Sequence, residues 1–574
     1  MFKANDFYYI ERKRGMEVDY MMDELKKIFQ MEPLREKILI VDSYYIGNQI
    51  VEAFMNQEHL VVNLHVKTVS DLAVELLSSQ KKYQEKRAER AITEHFIYRI
   101  LTEMKSKGEL YYFNNIEISS SFCQSMHESM MQLRLAGYDE YNLQDSHFLS
   151  KEKGNDFKNI LAQYARLLKE NHLADSAAIL KQALQLVTEN NQSLFILQPN
   201  LQLNYLQHQF LQKLLPEKKY KLSLAKVYGV NLPENSSFET IKWGPSTPLS
   251  YIYCPNEYSE PMEEISVHIA KTIELEVKVV LQSLKRNQAP LDQAVLYYTS
   301  SESYLPAIYQ ISQKLNIPIT FSQGLPVMYS SPGKLIAGLM KWMQANFHIQ
   351  VFLPLLQEGL ISFKGSAAPA HQRVIKLLRG LQIGWGKDRY IPMIDQSIEA
   401  LEKQLTEDKN IDLADRLENL SYLKIWLQEI FDALHSNEGK ISYKSLLKGI
   451  HSILCNCSAI DTDLDFAANK EMKQKIEAVL PFLNEEEITI YDAVQRASDL
   501  LLTGRINASD PKPGFLHTAS YEDGIYNRRK FVYFMGLDNQ RFPGKSMENP
   551  LLLDSERASL KRRIPILQEQ PEKK

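Results

Sequence analysis

The chain has 574 residues, 44% of them hydrophobic and 24% charged, and a net charge of -4. That length exceeds one ordinary hydrophobic core and implies three or four folded units of globular composition. The mild acidity excludes a globally basic nucleic-acid binder, so any DNA contact needs a local patch. Four cysteines make no disulfide framework. Cys455 and Cys457 form a C-x-C, too few ligands for zinc or an iron–sulfur cluster, and are expected to be inert thiols. The N-terminal stretch MFKANDFYYIERKRG lacks the apolar core of a signal peptide. No apolar run approaches the roughly 20 residues of a membrane helix, and the expected compartment is a reducing cytoplasm.

In chain order, KILIVD predicts a strand covered on both faces. SYYIGNQIVEAFMNQ predicts a helix with Ser43 as a plausible N-cap. A β-rich Val61–Val66 then precedes a helix starting at Thr68 or Ser70. This alternation implies a parallel α/β sheet. Residues 84–190 read as mainly helical, with one helix stopped at Gly137 and a break near His172 to Asp175. SLFILQPNLQLNYLQHQFLQKLL returns to strand and helix. A polar, proline-bearing stretch marks a boundary near 231–248.

The second α/β unit is expected to begin at LSYIYCP, with a helix carried on EEISVHIAKTIELEVKVVLQSLKRN. LDQAVLYYTS predicts a strand, YLPAIYQISQKLN a helix and IPITFS a short strand. A glycine–proline loop leads into GKLIAGLMKWMQ, and residues 350–505 read as helical again. KPGFLHTAS and FVYFMGL resume strand character. The expected division is a first core at 1–83 and 191–240 interrupted by a helical insertion at 84–190. A second core at 249–349 and 511–574 is interrupted by a helical insertion at 350–510.

Several stretches resemble the B subunit of AddAB-type helicase–nucleases, also called RexB, and related PD-(D/E)XK nuclease-family proteins. They include VDSYYIGNQIVEAF, SMMQLRLAGYDEYNL, YARLLKENHLADSAAIL and the span from APLDQAVLYYTS to GKLIAGLMKWM. The last is RKFVYFMGLDNQRFPGKSMENPLLLDSERASL, a strand, a glycine turn, Phe-Pro, then a Leu-Leu-x-Asp-x-Glu-Arg run. Their order covers most of the chain. The resemblance implies an α/β fold of two RecA-like parallel-sheet domains on the superfamily-1 helicase plan, each with a mainly helical insertion. LHTAS, with His517 and Thr518, sits where an active helicase has its Thr-x-His segment. YEDGIYNRR replaces the family's following KGLE, which puts energy coupling there in doubt.

A motor needs a phosphate-cradling G-x-x-x-x-G-K-[ST] loop. None is present. Gly333-Lys334 is followed by Leu335, where a magnesium-binding hydroxyl is required, so the nucleotide site is expected to be degenerate. The family's nuclease module would lie beyond the Leu-Leu-x-Asp-x-Glu-Arg run, and the chain is expected to be truncated before it. The internal alternative, Asp461, Asp463 and Asp465 with Glu471-x-Lys473, has helical spacing, unlike a nuclease strand. Phe466 and Met472 occupy the positions where a calcium loop needs Gly and Glu. No cofactor is expected in this chain; the family uses magnesium and sometimes an iron–sulfur cluster.

Basic clusters supply the candidate DNA contacts. Arg528, Arg529 and Lys530 precede a core strand and are the preferred phosphate contacts. Lys81, Lys82, Lys86, Arg87 and Arg90 read as a solvated helix face, and Lys561 to Arg563 form a third cluster. Tyr44, Tyr45 and Tyr526 are candidates for base stacking. The expected function is an inactivated helicase-like scaffold that binds single-stranded or unwinding DNA and an AddA/RexA-type partner subunit. The alternatives are an interaction protein that binds no DNA, and a nuclease built on residues 461–473.

Overall fold

The computed structural model describes residues 7–13, 20–55, 60–79, 85–190, 192–199, 201–216, 219–222, 265–365, 368–407, 411–434, 439–524, 529–538, 540–542 and 548–560. Strand β1 (Phe7–Lys13) precedes helix α1 (Tyr20–Met31). β2 (Lys37–Ile40), α2 (Tyr44–Met55), β3 (Leu64–Lys67) and α3 (Val69–Ser78) then alternate as expected. Thr68 is the cap: its hydroxyl accepts from the Asp71 amide while the Asp71 carboxylate accepts from the Thr68 amide. β4 (Lys86–Arg87) leads into α4 (Arg90–Lys107), α5 (Ser120–Leu135) and α6 (Lys151–Glu170). β5 (Leu173–Ala174) pairs with β4, and α7 (Ser176–Leu186) follows. β6 (Leu194–Leu197), α8 (Tyr205–Leu214) and β7 (Tyr220–Lys221) rejoin the first sheet.

That sheet runs β3-β2-β6-β7 and is parallel throughout. KILI is buried at every position because both faces are covered. Met22, Leu25 and Phe54 of α1 and α2 pack against Leu39 and Ile196 on one face. Leu72, Leu180 and Phe210 of α3, α7 and α8 pack against Ile38 and Phe195 on the other.

The second half opens with β8 (Ile265–Ala270) and α9 (Ile273–Arg286). ISVHIA, expected inside a helix, is therefore a strand. Alternating β-branched residues favour extended backbone, and the helix starts only after Thr272, whose hydroxyl accepts from the Leu275 amide. The 231–248 boundary and LSYIYCP lie outside the described residues. β9 (Ala294–Tyr298), α10 (Ser301–Lys314) and β10 (Ile319–Phe321) follow as expected.

A helical module then intervenes. It comprises β11 (Leu325–Pro326), α11 (Ser331–Gln344), α12 (Ile349–Gln357), α13 (His371–Gly380), α14 (Lys387–Glu407) and α15 (Ile411–Ala433). β12 (Lys440–Ser442), α16 (Tyr443–Asn456), α17 (Asp463–Val479), β13 (Glu487–Thr489), α18 (Ile490–Leu501) and β14 (Arg505–Ile506) complete it. β15 (Leu516–Ser520), β16 (Phe531–Met535) and α19 (Asp554–Ser559) come last.

The second sheet has six strands in the order β10-β15-β9-β16-β1-β8. Strands β10, β15, β9 and β16 are mutually parallel. The N-terminal strand β1, not anticipated from the sequence, pairs antiparallel with both β16 and β8. One face, with Leu296, Tyr298, Tyr533 and Met535, joins the large helical core. The other presents Val295, Tyr297, Val532, Phe534 and Ala519. Among the described residues, no helix is long and apolar enough to cross a membrane.

Candidate functional site: the junction of the two sheets

Helix α2 belongs to the first sheet yet reaches the second. Its start follows β2 through Val41, Asp42 and Ser43, and the Ser43 hydroxyl accepts from the Ile46 amide at 3.3 Å. Asp42 is held at the strand's C-terminal edge. Its carboxylate accepts from the Gln202 amide at 2.9 Å and from the Gln198 side chain, whose oxygen accepts the Asp42 amide. Burial pushes the Asp42 carboxyl up from its ordinary value, with these bonds opposing the shift. A nucleotide's phosphates would need donors here, aimed outward from the strand-to-helix turn. This turn presents the Asp42 carboxylate instead.

In the first turn of α2, Tyr45 packs on the second sheet's small cluster with Val295, Tyr297 and Phe534. Its hydroxyl lies 3.0 Å from His517 Nε2, and His517 Nδ1 lies 2.8 Å from Thr320 Oγ1. His517 is fully buried, and burial, with Arg529 adding repulsion, pushes its imidazole down to about 3. A neutral ring has one donor and one acceptor, which the two hydroxyls complement. Thr518 is also buried, its hydroxyl donating to the Leu296 carbonyl at 3.0 Å. Gln49, on the same face of α2 as Tyr45, donates to the Asp523 carbonyl at 2.8 Å.

The basic cluster sits beside this junction. Arg529 is buried and donates to the Ala294 carbonyl at 2.7 Å; burial holds its guanidinium below its ordinary value. Lys530 is exposed, and Arg528 and Tyr526 lie outside the described residues. The adjoining cleft gathers Lys512, Arg529 and Lys530 against Glu52, Asp292 and Asp510. Its charges balance, unlike those of a groove built for phosphates. Tyr44 is 51% exposed but points toward Asp71 of the α3 cap, which pushes its hydroxyl pKa up. The structure thus brings Tyr45, His517, Thr518 and Arg529 together, and leaves Tyr44 and Lys530 apart at the surface.

The remaining candidates take structural positions. Lys86 and Arg87 are exposed on β4, and Arg90 is engaged by Glu94 and Glu128; Lys81, Lys82 and Lys561 to Arg563 lie outside the described residues. Asp463 and Asp465 sit in the first turn of α17, and both Glu471 and Lys473 lie along it. Asp465 is buried, accepting from Ser331, Asp461 and Thr462 amides. Among the described residues, no group of three or more His, Cys, Asp or Glu is arranged to hold a metal. Cys455 is exposed and Cys457 buried, consistent with their separation along the end of α16.

The Gly536 turn and the Leu-Leu-x-Asp-x-Glu-Arg run each have a specific anchor. Gly536, at φ 83°, donates its amide to Glu276 Oε1 at 2.9 Å, and Tyr304 donates to Glu276 Oε2 at 2.5 Å. Burial pushes the Glu276 carboxyl up to about 7. Glu556 takes both its oxygens to Lys153 Nζ, at 2.8 and 2.7 Å, in a fully buried pair. It also accepts the Leu149 and Leu553 amides. Arg557 donates to the Leu552 carbonyl and to Gln132, and Tyr138 donates to the Leu560 carbonyl. This run therefore docks the 548–560 segment onto α5 and α6.

No protein-family model matches the chain, and no curated protein matches its sequence.

Proposed function

We propose that the chain is a helicase-like DNA-binding scaffold without a motor. It would belong to the B subunit of a double-strand-break repair helicase–nuclease of the AddB/RexB type. In this reading the two α/β units are RecA-like and the nucleotide site of the first is degenerate. The partners would be single-stranded or unwinding DNA and an AddA/RexA-type subunit in the cytoplasm. Nuclease chemistry, with magnesium and in some members an iron–sulfur cluster, would belong to a PD-(D/E)XK domain of the full-length protein. The observation that carries the reading is Asp42, a carboxylate held by Gln198 and Gln202 at the turn where a motor's phosphate loop would stand. A salt titration of single-stranded DNA binding tests it, alongside ATP turnover. Affinity falling steeply with salt and no turnover are expected. ATP hydrolysis would end the scaffold reading.

A second reading, an interaction protein with a degenerate helicase fold and no DNA role, draws on the burial of His517, Thr518 and Arg529. Absence of DNA binding at low salt would favour it.

A further inference from the structure

The junction cleft balances its charges, but one stretch of the sequence does not. From Ser303 to Lys387 the chain holds eight lysines and arginines against one acid, Glu358, in a protein of net charge -4. Seven of these cations are exposed, and Lys387 turns inward to donate to the Phe431 carbonyl at 3.0 Å. Helix α13, HQRVIKLLRG, contains no acid. Val374 and Leu378 face the core, while Arg373, Lys376 and Arg379 recur every third residue on its exposed side. Arg373 meets Asp415 at 3.5 Å; among the described residues Lys376 and Arg379 make no ion pair.

Past α13 the chain turns through Gly384 and Gly386, at φ 69° and 91°. The Gly384 carbonyl accepts from Ile349 at 2.9 Å, and the Gly386 amide donates to the Asn346 carbonyl at 2.8 Å. These two bonds fix Trp385 outward, 52% exposed, with the Arg389 guanidinium 4.8 Å from its ring centroid. Tyr491, 67% exposed, lines the same hollow together with Asn346, Asp388 and Arg389. Trp342 and Trp426, by contrast, are buried. Single exposed aromatics are ordinary. An indole and a phenol pinned at one hollow beside an acid-free cationic helix offer both halves of a distinct chemistry: flat faces for unpaired bases and cations for phosphates.

We propose that this face of the helical module binds single-stranded nucleic acid. Backbone phosphates lie on Lys376 and Arg379, and an unpaired base stacks in the hollow of Trp385 and Tyr491. Arg379 and Trp385 are six positions apart, so their backbones are no more than about 20 Å apart. A paired duplex offers no free base to the hollow, and an acidic peptide would use the cations but leave the rings idle. The inference rests on the DNA-binding reading above and gives it a location.

The test is anisotropy of a labelled oligothymidylate titrated with the full chain across a salt series. Trp385→Ala is expected to weaken binding about tenfold, and Trp385→Phe to retain most of it. Lys376→Ala/Arg379→Ala is expected to lower the slope of log affinity against log salt by about 1.4. All three positions are exposed, and unchanged melting curves would establish that each variant folds. Should the wild type bind while every variant matches it in affinity and slope, the proposed surface is wrong and the DNA-binding reading survives. Equal affinity for a duplex, with Trp385→Ala silent, would overturn the single-strand assignment. No binding by the wild type at low salt removes both.

Discussion

His517 and Glu276 are buried titratable groups that shift in opposite directions, and each gives stability its own pH dependence. The His517 imidazole falls from 6.5 to about 3, so the native state refuses a proton that the unfolded chain takes. The stability this contributes is present above pH 6.5 and is lost as pH falls toward 3. The Glu276 carboxyl rises from 4.5 to about 7, so its stability is present below pH 4.5 and is lost as pH rises through 7. Glu276→Gln should flatten the decline between pH 4.5 and 7, a span worth on the order of 3 kcal/mol, readable by denaturant melts at several pH values. Tyr45→Phe should cost about 1–3 kcal/mol, because a buried ring nitrogen of His517 loses its partner. Its acid transition should also move to higher pH, since a less stable fold is overcome by less protonation.

At the scale of elements, the 548–560 segment is attached through few but buried charges. Removing one member of a buried pair typically costs 3–5 kcal/mol, whereas replacing both with apolar groups can be nearly neutral. Lys153→Met should therefore loosen the segment strongly, and Lys153→Met/Glu556→Leu should recover much of the loss. Limited proteolysis after Leu551 reads this directly. Thr462→Ala, which removes the hydroxyl half of the α17 capping box and keeps the bond from its own amide to Asp465, should cost about 1 kcal/mol by thermal melting.

Elements with strong local signals were legible in the sequence. KILI, AVLYY and FVYFM are short apolar runs and became core strands, and the Thr68 cap and the Gly137 stop hold. β8 is hidden in the sequence because ISVHIA adjoins a strongly periodic helix whose apolar pattern runs into it. β1 was missed because its strand character depends on partners far away in the chain. At the candidate site, the sequence picked out the segments that meet, but it could not separate a polar residue facing solvent from one completing a buried network. His517 and Thr518 are of the second kind, since a sheet covered on both faces hides whatever polar side chains it carries. The basic surface around α13 left a sequence signal of its own, the scarcity of acids from Ser303 to Lys387.

For the whole molecule, the two sheets are linked twice. Helix α2 carries Tyr45 and Gln49 across to the second sheet, and β1 leaves the N-terminus to lie between β16 and β8. Deleting residues 1–13 should unpair one edge each of β16 and β8. The expected outcome is a lower melting temperature and concentration-dependent association, since open strand edges recruit other chains. Light scattering across a dilution series measures it; a monomer of unchanged melting temperature would show that the sheet closes without β1.

The position of β1 also dictates the order of assembly. Tyr9 pairs with Met535, more than 500 residues later. During synthesis β1 must wait for β16, so the six-stranded sheet is completed only once residues 531–535 have left the ribosome. The four-stranded sheet, closed by residue 221, faces no such delay. A pulse-labelled nascent chain should therefore become protease-resistant in two stages, the four-stranded sheet early and the larger one only after residue 535 has emerged.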